Sequence, residues 1–210
     1  VIDALHKPRG GISGGAYEFD GDYDLLNAGS HTIREKNYTI SAWFKTNETF
    51  LQTIIGRGAS GEGFYNPEIR TNGTHIQVTE SGFSGIGVIG FAPVTKNELH
   101  NIIVTRNESV VNVYVDGNHV LTDNYQPDPR NMDVTTGNVG RGAIYIGDTP
   151  DRAVSPTYQG LLDEIAIWNR SLTTEEIGLL YSSISKTYSW NVTTKAPFLS
   201  YSSDQQVFTT

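Results

Sequence analysis

Apolar and polar residues alternate with period two over most of the stretch from about residue 16 to 168, the signature of half-buried β-strands. From Tyr38 to Lys45 the chain sets Tyr38, Ile40, Ala42 and Phe44 on one face and Thr39, Ser41, Trp43 and Lys45 on the other. Leu99–Thr105 and Val110–Val115 predict two strands joined by the polar turn Arg106-Asn107-Glu108-Ser109. The second strand runs into Asp116-Gly117 and returns through His119, Val120 and Leu121. An Asp-Gly pair between alternating segments is a strong hairpin signal, because both central residues of a type I′ turn take positive φ. Residues 99–122 are therefore expected to form a three-stranded antiparallel meander, with Ala143–Gly147 and Leu162–Trp168 as two further strands.

Only one segment carries a good helical pattern. Thr173 with Glu176 three residues later reads as a capping box, and Ile177, Leu179, Leu180 and Tyr181 follow it. Glycines cluster at 56–63 and 82–90, where they mark bends; none stands between a strand and a helix, so no phosphate-cradling loop is expected. Residues 1–15 look mostly irregular. Residues 183–210 form a polar tail with strand-like patches at Tyr188–Val192 and Pro197–Tyr201. The organisation read here is one domain over 1–182 followed by this tail, which is richer in aromatics than a disordered linker. Three arrangements stay open for such a tail: packing on its own sandwich, adding a strand to a neighbour's sheet edge and so self-associating, or serving as a linker.

Composition narrows the partners. The 210 residues bury roughly 70% of the surface of the unfolded chain, enough for a core without staples. A net charge of -8 leaves no basic stripe to neutralise phosphates, so neither nucleic acid nor an anionic membrane surface is an expected partner. No apolar run approaches the roughly 20 residues of a membrane-spanning helix, so membrane insertion is not expected. Cysteine is absent, so disulfides say nothing about compartment. The sequons speak instead. Six Asn-x-Ser/Thr triplets occur, at Asn37, Asn47, Asn72, Asn107, Asn169 and Asn191, where the 15 Asn of the chain would give roughly three by chance. They point to a glycosylated protein, extracellular or at the cell surface.

The order of these elements resembles a known family. Ala16-Tyr17-Glu18-Phe19-Asp20-Gly21 with Tyr23-Asp24-Leu25 is similar to the opening of laminin-G-like, pentraxin-like modules of the concanavalin A-like lectin/glucanase superfamily. Tyr38-Thr39-Ile40-Ser41-Ala42-Trp43-Phe44 resembles their next strand. Leu99–Thr105 with Val113-Tyr114-Val115-Asp116-Gly117 resembles their meander, and Ile144-Tyr145-Ile146-Gly147 a later strand. Gly160–Leu172 followed by Glu175-Glu176-Ile177 resembles their closing strand and helix. The resemblance covers about residues 16–181 and implies an all-β fold: a jelly-roll sandwich of two antiparallel sheets with one short helix towards the C-terminus. It also implies that His100 is a structural histidine, and that a calcium ion is held between the Phe-Asp-Gly loop and the Asp-Glu strand.

The fold also carries glycosidases, so catalysis has to be read from residues. Retaining sandwich glucanases set two carboxylates on one face of a strand, about 5–5.5 Å apart. Glu18-Phe19-Asp20 begins that pattern, but Tyr23 occupies the place of the second glutamate, and the five His are scattered. No catalytic residues are assigned, and the chain is read as a non-enzyme. Metal is better supported by the residues. Asp20, Asp22 and Asp24 alternate in one loop, offering the hard oxygen ligands that calcium takes. Asp163 falls in register with Leu161, Ile165 and Ile167, an inward-facing set, and a buried carboxylate needs a cation or several donors. Asp20, Asp22 and Asp163 are the candidate calcium ligands; alternatively Asp20 and Asp163 accept backbone N–H groups or pair with Arg141 or Arg170. Tyr65, Phe83, Tyr125 and Tyr158 lie in loop-like stretches where a sugar could stack or where they simply pack, so no ligand-binding residue is assigned. The expected function is a non-catalytic surface module binding a glycan or a cell-surface protein. The alternative is a structural subunit of a surface assembly or filament joined through its terminal segments.

Overall fold

The computed structural model describes residues 4–7, 11–12, 14–28, 37–58, 68–82, 85–124, 143–148, 157–184, 195–196 and 199–200. Its first eight strands are β1 (Leu5–Lys7), β2 (Ala16–Asp20), β3 (Leu26–Asn27), β4 (Asn37–Lys45), β5 (Gln52–Gly58), β6 (Glu68–Thr71), β7 (His75–Gly82) and β8 (Gly85–Pro93). Then come β9 (His100–Asn107), β10 (Val110–Val115), β11 (Asn118–Asn124), β12 (Ala143–Ile146), β13 (Gln159–Trp168), the helix α1 (Thr174–Ile184), β14 (Lys195–Ala196) and β15 (Leu199–Ser200). Seven strands form one sheet in the order β1-β2-β13-β4-β9-β10-β11, and six form a second in the order β3-β12-β5-β6-β7-β8. All pairings are antiparallel. Late strands inserted between early ones in both sheets make this a jelly-roll sandwich, as the alternation and the resemblance imply.

The core lies between the sheets. Ile40, Ala42 and Phe44 of β4, Ile102 and Val104 of β9, and Val111 and Val113 of β10 meet Ile54, Ile69, Ile76, Val78 and Ile144 from the six-stranded sheet. Each large apolar side chain buried in this way stabilises the fold by about 1.5–3 kcal/mol through its removal from water. The meander forms where expected: β10 pairs with β9 from Val110↔Asn107 to Val115↔Ile102, and with β11 from Val110↔Asn124 to Val115↔Asn118. Asp116 and Gly117 take φ of 50° and 74° at its turn. Asp116 also ties the hairpin down, its Oδ1 accepting the Asn101 N–H at 2.8 Å and its Oδ2 lying 2.7 Å from His100 Nδ1. His100 Nε2 sits 3.0 Å from the backbone N and O of Thr95, so this histidine is held on both nitrogens as a structural residue.

The second face of β4 is covered as well. The Glu176 N–H donates to Thr173 Oγ1 (3.2 Å) and the Thr173 N–H to Glu176 Oε2 (2.9 Å), which completes the capping box and starts α1. Arg170 donates to both Glu176 oxygens at 2.7 and 2.8 Å. Ile177 and Leu172 then pack on Ile103 and Tyr114, with Trp168 and Leu180 at the border. The helix ends at Ile184, two residues into the stretch read as tail. Beyond it β14 and β15 pair with each other, and the patch at Tyr188–Val192 lies outside the described residues. At the other end the N-terminal stretch is less irregular than its sequence implies. Leu5–Lys7 pairs with Ala16–Glu18 and closes the edge of the seven-stranded sheet. Leu5 and His6 are exposed, so no alternation announces this strand.

Candidate functional site

At one end of the seven-stranded sheet, the exit of β2, the exit of β4 and the entry of β13 enclose an open groove of about 560 Å³. Its walls carry Glu18, Asp20, Lys45, Glu48, Asn97 and Gln159. The floor is set by a polar network beneath. Thr46 Oγ1 donates to Gln159 O (2.7 Å) and accepts from Gln52 Nε2 (2.7 Å), while Gln52 Oε1 accepts the Gln159 N–H (2.7 Å). Gln52 and Thr46 are buried, so these bonds fix where the two strand ends meet. Gly160 allows the approach: with φ of 142°, a Cβ there would stand 2.1 Å from the Lys45 carbonyl oxygen. Glu18 is partly neutralised by Lys7, whose Nζ lies 2.7 Å from Oε2. The groove therefore offers several donors and acceptors on rigid strand ends, the chemistry that holds hydroxyl-rich ligands.

The candidate calcium ligands are placed as follows. Asp20 and Asp22 are exposed in the turn after β2, where Asp20 Oδ1 accepts the Asp22 N–H at 2.8 Å. Asp24 is the buried carboxylate of that loop, and its Oδ2 accepts the Asp20 N–H at 2.8 Å. Asp163 is elsewhere. Gln159 stands opposite Asp20, and Asp163 lies four residues further along β13 (159 to 163), about 13 Å at 3.3 Å per residue. The three do not converge on one point, and among the described residues no three acidic, His or Cys side chains form a group that could hold a metal ion.

Asp163 also faces the other way from the expected direction. A bulge interrupts the pairing of β13 with β4 between Asp163 and Ala166, and Glu164 takes φ of 45° there. Leu162 therefore enters the core, as Ile165 and Ile167 do beyond the bulge. Asp163 instead stands opposite Trp43, on the face turned away from the core. Its two oxygens are supplied by backbone donors: the Ile12 N–H at 2.7 Å and the Glu164 N–H at 2.9 Å. This is one of the alternatives the sequence left open, and these donors compensate the buried carboxylate without a cation. Arg170 is engaged with Glu176 rather than Asp163, and Arg141 lies outside the described residues. Burial and then the adjacent Asp163 carboxylate hold the Glu164 carboxyl above its ordinary range.

Of the six sequons, Asn47, Asn107 and Asn169 are exposed and Asn37 and Asn72 are half-buried, while Asn191 lies outside the described residues. Asn72 Oδ1 accepts from the Thr74 N–H, the Thr74 hydroxyl and the His75 N–H at 2.9–3.1 Å, bonds in which its Nδ2 takes no part. The two-carboxylate pattern does not extend, because β2 ends at Asp20 and Tyr23 lies beyond it with φ of 65°. Among the four aromatics considered for stacking, Tyr158 is fully buried and donates towards the Lys45 and Leu161 carbonyls. Its burial pushes the phenol well up. Tyr65, Phe83 and Tyr125 lie outside the described residues.

A laminin-G family model, described as the concanavalin A-like lectin/glucanases superfamily, matches residues 20–178. The chain belongs to this superfamily. No curated protein matches the sequence. Domain 4 of AbnA, a GH43 extracellular arabinanase from Geobacillus stearothermophilus, solved in complex with arabinotriose, aligns with a TM-score of 0.68 at 18% identity, over 86% of this chain and 82% of that one. The botulinum neurotoxin serotype G binding domain aligns with a TM-score of 0.64 at 15% identity, over 89% of this chain and 46% of that one. The serotype D binding domain aligns with a TM-score of 0.60 at 15% identity, covering 87% and 45%. This chain thus spans less than half the length of the toxin binding domains. At these identities the likeness is one of fold. Among the described residues no helix is long and apolar enough to cross a membrane.

Proposed function

We propose that this superfamily member is a non-catalytic module that binds a glycan, free or carried on a cell-surface protein, outside the cell. The observation that carries the reading is the groove at the strand ends of β2, β4 and β13, where hydrogen-bonding side chains stand on a floor locked by Thr46, Gln52 and Gln159. A fold shared with a domain solved with arabinotriose supports it. The exposed sequons Asn47, Asn107 and Asn169 support the extracellular setting. Catalysis is disfavoured because β2 ends at Asp20, before it could present a second glutamate in line with Glu18. Incubation with arabinotriose and with other neutral oligosaccharides tests the reading: saturation-transfer NMR should show binding and no new reducing ends should appear. Release of shorter sugars would make the protein a hydrolase instead.

A further inference from the structure

Asn47 stands in the wall of the open groove and is at the same time the first residue of the sequon Asn47-Glu48-Thr49. Asn47 and Thr49 are both exposed. Among the described residues the Asn47 side chain makes no hydrogen bond that would withhold its amide. Asn72 differs: it is half-buried, and its Oδ1 is spent on the turn it stands in.

The remaining described sequons lie far from the groove. β4 starts at Asn37, which pairs with Asn107, and its nine residues put about 30 Å of strand between that end and the groove. Asn169 follows Trp168, which stands opposite Thr39 near the same far end. The loop that carries Asn47 is held on three sides. The Glu48 N–H donates to Thr46 Oγ1 at 3.1 Å, and the Asn97 N–H to the Thr46 carbonyl at 2.8 Å. Gly73 packs against the Glu48 carbonyl with no room for a Cβ. A glycan attached at Asn47 therefore begins at the groove wall and is not carried clear by its loop.

We infer that Asn47 is a modification site that gates the groove: an N-glycan there occupies it, and only a chain bare at Asn47 takes up an external sugar. The step is a glycosyl transfer from a glycosyl phosphate, catalysed by a transferase of the producing cell. The bond from the anomeric carbon to the phosphate oxygen breaks, and the phosphate leaves with the electron pair. The carbon bonds to Asn47 Nδ2, and the amide gives up one proton. An N-glycan is bulky, and the groove, at about 560 Å³, is the size of a small-molecule site. The attached sugar also brings hydroxyls to Glu18, Asp20, Asn97 and Gln159 at the high effective concentration that a covalent link provides. The inference rests on the reading of the groove as a glycan site and adds its regulation.

Three preparations test it: wild type and Thr49→Ala from a host that N-glycosylates, and wild type from a host that does not. Mass spectrometry reads occupancy at Asn47, Asn107 and Asn169, and titration with arabinotriose, cellotriose and N-acetyllactosamine reads the groove. Thr49→Ala removes the sequon while Asn47 stays in the wall and the distant glycans stay attached. The bare chain and Thr49→Ala should bind at least one probe equally well, and wild type occupied at Asn47 should bind it at least tenfold more weakly. Equal binding by the occupied chain would overturn the gate and leave the glycan-binding reading standing. An Asn47 left bare by the glycosylating host would overturn it too. Binding by Thr49→Ala as weak as that of the occupied chain would assign the effect to other glycans, with the same consequence. A bare chain that binds none of the probes would overturn the glycan-binding reading, and the gate with it.

Discussion

The ring of Tyr181 lies flat on the indole of Trp43, with centroids 5.5 Å apart and planes 10° from parallel. Trp43 alternates with Ala42 and Phe44, which enter the core, so this stack seals the opposite face of the sheet with the last turns of α1. Gly117 makes room for the ring: a Cβ there would meet Tyr181 Cδ1 at 2.7 Å. The helix is thus part of the sandwich and no appendage to it. Tyr181→Ala should destabilise the protein by about 2 kcal/mol, summing lost burial and stacking on a half-buried ring. Urea unfolding followed by tryptophan fluorescence checks this, and an unchanged midpoint would mean that the helix does not hold the sheet.

The capping box makes a pH prediction. The Arg170 guanidinium, and then the Thr173 N–H, lower the Glu176 carboxyl from 4.5 to about 2. A carboxylate depressed in the folded state stabilises above its unfolded value, and that stability is lost as pH falls through the folded one. The contribution of Glu176 should therefore be intact above about pH 4.5 and fade between there and pH 2. Glu176→Gln should lower the melting temperature at pH 7 and converge with wild type at pH 2. A constant difference across that range would contradict the assignment.

Asp163 is held by backbone donors, so its loss should be felt without metal. Asp163→Ala leaves the Ile12 N–H without its acceptor and should cost about 2–3 kcal/mol. The cost should be equal in calcium and in chelator. Gly11→Ala should act in the same direction, because its Cβ would stand 2.2 Å from Asp163 Oδ2. A destabilisation of Asp163→Ala that appears only in calcium would place an ion at this carboxylate.

At the bulge, Glu164 takes φ of 45° next to Asp163. A side chain in this conformation costs roughly 1 kcal/mol relative to glycine. Glu164→Gly should stabilise the protein, whereas Glu164→Ala keeps the backbone strain. Because burial and Asp163 raise the Glu164 carboxyl, its charge opposes folding more as pH rises through the folded value. Glu164→Gln should therefore gain stability at neutral pH and lose that gain in acid, as paired thermal melts would show.

These positions mark where the sequence is legible. Period-two alternation with Asp116-Gly117 announced the meander, and Thr173 with Glu176 announced the helix, because both signals are local. The direction of Asp163 was not legible: Leu161, Asp163, Ile165 and Ile167 count off with period two, and nothing in Asp-Glu-Ile-Ala marks a bulge at Glu164. β1 was missed because Leu5 and His6 are exposed and pair only with the distant Tyr17 and Glu18. The buried Glu68–Arg70 ion pair escaped for a similar reason. Glu68-Ile69-Arg70-Thr71 is a four-residue strand with one aliphatic residue, and only its register with Gln77 and Thr79 brings the polar groups together.

The central claim is that the protein binds glycans without cleaving them. A glycan array probed with the labelled protein, with and without chelator, tests it most directly. The account predicts retention on one class of neutral glycan, competed away by the free oligosaccharide and leaving the arrayed sugar intact. No retention on any glycan, or loss of the arrayed sugar on contact, would contradict it.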